Sequence, residues 1–559
     1  MISYKSKPFN LNDKDIEWVE KTYADMTVEE RVGQLFFPIG YSSDPNYLKY
    51  MILNKHPGGL LFRTGGMEEM FNTYNFLQKE SRIPMLLSAN LEAGGDGIVA
   101  EGTCFGKQMQ VAATGEEEQA YRLGKVCARE GKAVGCNYAF APVVDIDKNY
   151  HNPITNVRTY GSDRDTVLAY ARQYFKACQE EGMLTSPKHF PGDGVDERDQ
   201  HILTSVNDLS REEWDDSYGY IYRNLIEDGV KTIMVGHIAL PAYQSDNEKY
   251  LPATLSHDIL TGLLREKLHF NGLIISDATP MVGFCSAMER EKAVYTAIMA
   301  GIDMFLFNKD YDEDYGFMLK AYKEGNLTEE RLEEAVKRIL AVKASMKLHE
   351  GDNQTDRKEL AKVGCDLHRQ WAEECADKAI TLVKDNQKLL PVSSQEHKRV
   401  LYQMIGDCAS NERVEKTFVT AMQKYGYEMI PYEREVFDFN KPLPFDSVTQ
   451  FRNKYDLVVY IGNIENASNK TTNRINWYAL FGLGNNIPWF VKEVPTMFIS
   501  LQNPYHLLDV PMVSTYINCY SNHDAVIEAV VDKINGKSEF KGHSPIDPFC
   551  GKGYLKDLW

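Results

Sequence analysis

The stretch KHFPGDGVDERDQH, residues 188–201, gathers two histidines, a lysine, an arginine and four carboxylates into fourteen positions. Two glycines and a proline bend the same stretch. Ionisable groups at that density lose solvation and chain freedom unless they are paired or used. Three chemistries fit. Asp199 and His201 stand two apart, and in an extended chain residues i and i+2 point the same way. The carboxylate can then orient the imidazole and raise its pKa, giving a general acid that later acts as a base. His189, Asp193, Asp199 and His201 also have the ligand types of a zinc or manganese site, although their spacing matches no common metal pattern. A solvated, salt-bridged loop is the plain alternative.

A second centre lies in IISDATP, residues 274–280. Asp277 stands at the tip of an apolar run, between the small residues Ser276 and Ala278. A carboxylate there needs a partner or a use. Its place suits a nucleophile. One nucleophilic carboxylate and one acid/base group make the kit for retaining glycoside hydrolysis, with a His–Asp dyad replacing the second carboxylic acid.

Elements must bring these centres together. Over the first ~350 residues, eight apolar runs alternate with amphipathic stretches. They are residues 33–40, 58–63, 85–90, 138–147, 184–190, 232–238, 272–278 and 301–307. Near-continuous apolar strands separated by helices indicate a parallel sheet covered on both faces, and eight of them predict a (β/α)8 barrel. Polar residues gather at the ends of the runs: Arg63, Asn90, Asp145, Asp147, Lys188, His189, His237 and Asp277. In a parallel barrel that end is the catalytic rim. The helix of residues 326–348 closes this half, and a polar stretch leads into a second α/β pattern with strands starting at 379. The expected architecture is therefore an α/β chain: a barrel over 1–350, a linker and helix over 351–378, and a doubly wound α/β sandwich over 379–559. No GxGxxG or P-loop pattern marks a nucleotide site in that second half. The aromatic segment of residues 477–490 reads as a domain interface, with a sugar-stacking surface as the alternative.

Of the 559 residues 25% are charged, which places the chain among ordinary globular proteins. The net charge of −18 argues against nucleic acid and anionic membrane as partners. No apolar run approaches the ~20 residues of a membrane span, and the N-terminus lacks the apolar core of a signal peptide. Ten scattered cysteines without a CxxC pair fit a reducing cytoplasm, so the sequons at Asn466 and Asn469 read as chance.

The charged loop also resembles a known signature. KHFPGDG…DQH is similar to the KHFPGHG…D-S/T-H pattern of glycoside hydrolase family 3 β-N-acetylglucosaminidases. NPITNVRTYG (152–161), FAPVVDID (140–147), MVGHIALP (234–241), residues 252–278, AGIDMFLF (300–307) and AITLVKDNQKLLPV (379–392) fit the same two-domain subgroup. The resemblance implies Asp277 as the nucleophile, His201 as the acid/base, Asp199 as its partner, and Arg158, Lys188 and His189 as sugar-binding residues. It implies no metal and no organic cofactor. Three departures stand out. Asp193 replaces the second histidine of the pattern, and the usual D-Q-E-G-G reads Asn90-Leu91-Glu92-Ala93-Gly94-Gly95. Asn90 then takes the place of a sugar-binding aspartate and loses a charge-assisted bond. A family arginine shortly beyond has no counterpart in residues 96–103. The expected activity is retaining release of terminal β-linked N-acetylglucosamine from cell-wall or chitin fragments. The alternatives are a β-glucosidase, an N-acetylglucosaminide phosphorylase, and a carbohydrate-binding protein that has lost catalysis.

Overall fold

A computed structural model describes residues 2–433, 446–477, 479–480, 483–484 and 486–558. Residues 478, 481, 482 and 485 of the aromatic segment lie outside that set. The chain divides into two compact units, residues 1–105 with 117–369, and residues 106–116 with 370–559.

In the first unit, strands form inside each of the eight apolar runs. They are β1 (Phe36–Phe37), β2 (Ile39–Gly40), β3 (Gly59–Phe62), β4 (Leu86–Ala89), β5 (Tyr138–Ala139), β6 (Leu184–Thr185), β7 (Ser205–Val206), β8 (Thr232–Val235), β9 (Ile238–Ala239), β10 (Leu273–Ser276) and β11 (Phe305–Leu306). β7 lies outside the runs, and β9 extends one residue past the end of its own. β3, β4, β8 and β10 are buried along their whole length, as strands covered on both faces must be. All pairings here are parallel. β2 through β6 form one sheet, β8 pairs with β10, β1 with β11, and β7 with β9. Isolated parallel bridges add Phe190 to Val235 and Ile275 to Met304. Helices stand between successive strands, among them Met67–Glu80, Glu117–Ala133, Arg164–Glu180 and Arg290–Ala300.

One reading of the runs needs correction. The run starting at residue 33 opens in a helix, Val28–Gln34, because Thr27 and Glu30 form a capping box that starts one there. The stretch of residues 214–229 is not one helix. It breaks at Ser217 between Arg211–Asp216 and Tyr218–Asp228, where the Ser217 backbone is non-helical.

The second unit carries β12 (Thr381–Asp385), β13 (Arg399–Ile405), β14 (Glu428–Pro431), β15 (Leu457–Gly462), a small hairpin of β16 (Ala479–Leu480) and β17 (Leu483–Gly484), β18 (Thr496–Ser500) and β19 (Thr515–Asn518). Six of these form a sheet in the order β12-β19-β18-β15-β13-β14, parallel except for β12 against β19. Alternate residues of each strand face opposite sides. Val400, Val459, Met497 and Ile517 join one apolar cluster, while Leu401, Val458, Phe498 and Tyr516 join another. Among the described residues, no helix is long and apolar enough to cross a membrane.

Candidate active site

The site groups follow the C-terminal ends of parallel strands in the first unit. Asp277 comes directly after β10, held by a hydrogen bond from its N–H to the Val235 carbonyl (2.7 Å). One of its carboxylate oxygens accepts from the Ala278 N–H (2.7 Å). Burial pushes this carboxyl up, but the imidazoles of His189, His237 and His201 and the Ala278 N–H outweigh it and hold it below the ordinary aspartate value. The group is therefore an anion at neutral pH.

The imidazoles have different states. The Nε2 of His189 lies 3.9 Å from an Asp277 oxygen, and its Nδ1 bonds Asp145 at 2.7 Å. Asp145 also accepts from the His189 and Asp193 backbone N–H groups (3.1 and 2.8 Å). His237 is fully buried. Its Nε2 meets the Ala278 carbonyl (3.0 Å), which only accepts, so Nε2 carries the proton and Nδ1 takes the Thr254 hydroxyl (2.9 Å). Burial pushes its pKa down to about 4 despite the Asp277 charge, so this ring is neutral.

The expected dyad is present. His201 Nδ1 lies 2.7 Å from the Asp199 carboxylate, which also accepts the His201 N–H at 2.9 Å. Asp199 is fully buried, whereas the His201 ring is about a quarter exposed. The carboxylate only accepts, so it fixes Nδ1 as the protonated nitrogen of His201. The loop reaches this shape through Gly192 and Gly194, both at positive φ. A Cβ at Gly192 would strike the Tyr218 ring, and one at Gly194 the Ile146 carbonyl.

Arg158 and Lys188 converge on a residue that the spacing of the sequence did not single out. Glu92 takes a bidentate pair from Arg158 (2.9 and 2.8 Å) and an ion pair from Lys188 Nζ (2.7 Å). Burial pushes its carboxyl up, yet the two cations hold it well below the ordinary glutamate range. Asn90 is exposed just after β4, and its side chain bonds no described residue. Glu92, Asp145 and His237 are thus the residues the strand pattern alone could not assign. The only available signal was that Asp145 and His237 lie at strand ends and Glu92 in the acidic segment after β4. The metal alternative does not find its geometry: among the described residues, His189, Asp193, Asp199 and His201 do not bring three ligand atoms within 4.8 Å of one another.

The site thus gathers an ionised carboxylate, an imidazole backed by a carboxylate and a pair of cationic donors, groups of the kind that glycosidic bond cleavage uses. The comparisons agree. Residues 27–342 match the family model of the glycosyl hydrolase family 3 N terminal domain. The chain is 44% identical, over 99% of both chains, to a "Beta-N-acetylglucosaminidase/beta-glucosidase" of Cellulomonas fimi. It is similar to the structure of "Beta-glucoside phosphorylase BglX bound to 2FGlc", with a TM-score of 0.92, 41% identity, and coverage of 98% of this chain and 99% of that one. A β-N-acetylglucosaminidase of Paenibacillus shares the fold, with a TM-score of 0.77 at 23% identity, covering 94% of this chain and 99% of that one. The chain belongs to glycoside hydrolase family 3 and is an enzyme of that class.

Proposed function

We propose that the chain is a retaining, exo-acting enzyme that removes a terminal β-linked N-acetylglucosamine through a covalent glycosyl-enzyme. The observation that carries this is the dyad: an exposed imidazole edge backed at 2.7 Å by a fully buried carboxylate, in a site whose other carboxylate is held ionised. In the first step Asp277 attacks the anomeric carbon. His201 Nε2 protonates the departing oxygen, and Asp199 stabilises the imidazolium. In the second step His201 takes a proton from water, whose oxygen displaces Asp277, and configuration is retained. Arg158, Lys188, His189 and Asn90 hold the sugar hydroxyls. The substrates are small cell-wall or chitin fragments. The cysteines, all free thiols, support a cytoplasmic setting.

The strand neighbours support a closed (β/α)8 barrel over residues 1–350. Through the sheet pairs and the two bridges they run from β2 to β6, β8, β10, β11 and back to β1. The sheet of the second unit, with helices and apolar clusters on two faces, supports an α/β sandwich over 379–559, joined by 351–378.

Phosphate in place of water is the second reading. A neutral imidazole base repels an incoming anion less than a carboxylate does, and one similar structure is named a β-glucoside phosphorylase. The test is initial rates on aryl β-N-acetylglucosaminide and aryl β-glucoside, each with and without inorganic phosphate. Release from the acetamido sugar in buffer alone supports the hydrolase. A rate that rises with phosphate, with glycosyl 1-phosphate as product, moves the assignment to the second reading, and a preference for the glucoside changes the sugar. Asp277→Ala should lower turnover by at least about 10³-fold while sugar binding persists. A wild-type chain that binds sugar without turnover would be a binding protein only.

A further inference from the structure

Asp193 stands where the similar signature has histidine. Its side chain is 3% exposed. One oxygen accepts from Asn152 Nδ2 (3.1 Å) and the Gly194 N–H (2.7 Å). The other accepts from Gln200 Nε2 (3.1 Å), and Gln200 Oε1 in turn accepts from the His237 backbone N–H (2.7 Å). The direction of each bond is forced. A backbone N–H only donates, so Gln200 turns its oxygen to His237 and its NH2 to Asp193. Asn152 Oδ1 already accepts from the Ile154 and Thr155 N–H groups and the Thr155 hydroxyl, so its NH2 is what faces Asp193. Both oxygens at position 193 must therefore accept. A carboxylate does this, whereas asparagine offers one acceptor oxygen and histidine at most one nitrogen. Gln200 sits between Asp199 and His201 in the chain, and its carbonyl is tied to the Gly283 N–H (3.2 Å).

We propose that Asp193 is a positioning residue for the acid/base step: through the amide of Gln200 it fixes the segment that carries Asp199 and His201, and so the aim of the dyad. The proposal rests on the dyad chemistry given under Proposed function. It also accounts for the GDG departure as a matched pair with Gln200. The carboxyl titrates in a relevant range. Burial, Asp145 and Asp199 push it up, while His189 and the Gly194 N–H pull it down, and it settles at about 7. Protonation turns one required acceptor into a donor, so acid should loosen the same contact.

Polarity reversal tests this. Asp193→Asn sets an NH2 against the NH2 of Gln200, and kcat should fall about tenfold or more while KM moves less than about threefold. The double variant Asp193→Asn with Gln200→Glu restores one donor against one acceptor and keeps an acceptor for His237. Its kcat should return to within about threefold of wild type. Gln200→Glu alone leaves position 193 native but sets two carboxylates face to face, so its kcat should fall with rising pH where wild type holds. Wild-type kcat in Asp193→Asn, a double variant no better than that single one, or a Gln200→Glu profile parallel to wild type would each overturn the proposal. Asp277→Ala run beside them isolates the underlying reading: turnover that survives it removes the glycosyl-enzyme, whatever Asp193 does.

Discussion

Burial alone would push the Asp277 carboxyl towards its neutral form, and a protonated carboxyl is no nucleophile. His189 is the first of the groups that oppose this, at 3.9 Å from the carboxylate, and Asp145 holds it in place from the other nitrogen. Replacing His189 by asparagine removes that opposition, so the Asp277 pKa rises. The acid limb of kcat/KM, which reports the free enzyme, should therefore move to higher pH. A pH–rate profile checks it. An acid limb that does not move would mean that His237, His201 and the Ala278 N–H hold the charge alone. His237 is a poor candidate for that role because its own pKa, pushed down to about 4, leaves it uncharged at neutral pH.

At the scale of elements, Glu92 ties together the segments that follow three successive strands: its own after β4, the turn Asn156–Arg158 after β5, and Lys188 after β6. Glu92→Gln leaves a buried guanidinium and a buried ammonium without a counter-charge. That should cost about 3–5 kcal/mol of stability and raise KM, because both cations proposed to hold the sugar lose their seat. Glu92 is held below the ordinary glutamate range, so its contribution is present above that range and is lost as pH falls through the lower value. The gap between wild type and Glu92→Gln in chemical denaturation should therefore be full at neutral pH and close only in strong acid. A constant gap would point to packing instead. The same residue shows why part of the site was not legible in the sequence. The Asp199–His201 contact is written two positions apart in the chain, and Asp277, the proposed nucleophile, at the tip of an apolar run. Glu92 is 66 residues from Arg158, and Asp145 is 44 from His189, so only the closing of the fold brings them together. The apolar runs located the strands, but Gly33 and Gln34 joined a helix because the Thr27–Glu30 box outweighed their place in the run.

At the scale of the whole molecule, the chain passes between its two units three times, since residues 106–116 belong with 370–559. Within the second unit that segment is well tied. The Lys107 N–H bonds the Ser521 hydroxyl (3.0 Å), the Ala113 carbonyl accepts the His543 N–H (2.8 Å), and Glu116 pairs with Lys378 (2.8 Å). Gln110 bonds His523 (3.2 Å), a ring that burial keeps neutral by pushing it down to about 4. Met109, Val111 and Ala113 are buried. No such excursion shows in composition, so the apolar pattern alone draws a single boundary near residue 350. A chain ending at Arg369 keeps the proposed catalytic residues Asp199, His201 and Asp277 but strands this segment without its partners, on the path from Glu92 to the helix Glu117–Ala133. At about 1 kcal/mol for each lost bond, plus the exposed apolar side chains, its melting midpoint should fall by roughly 10 °C or the chain should not stay soluble. Circular dichroism melts of the full and shortened chains decide it. A shortened chain that melts with the full one would show that residues 106–116 hold their shape unaided, and the two units would then be separable in stability as well as in contacts.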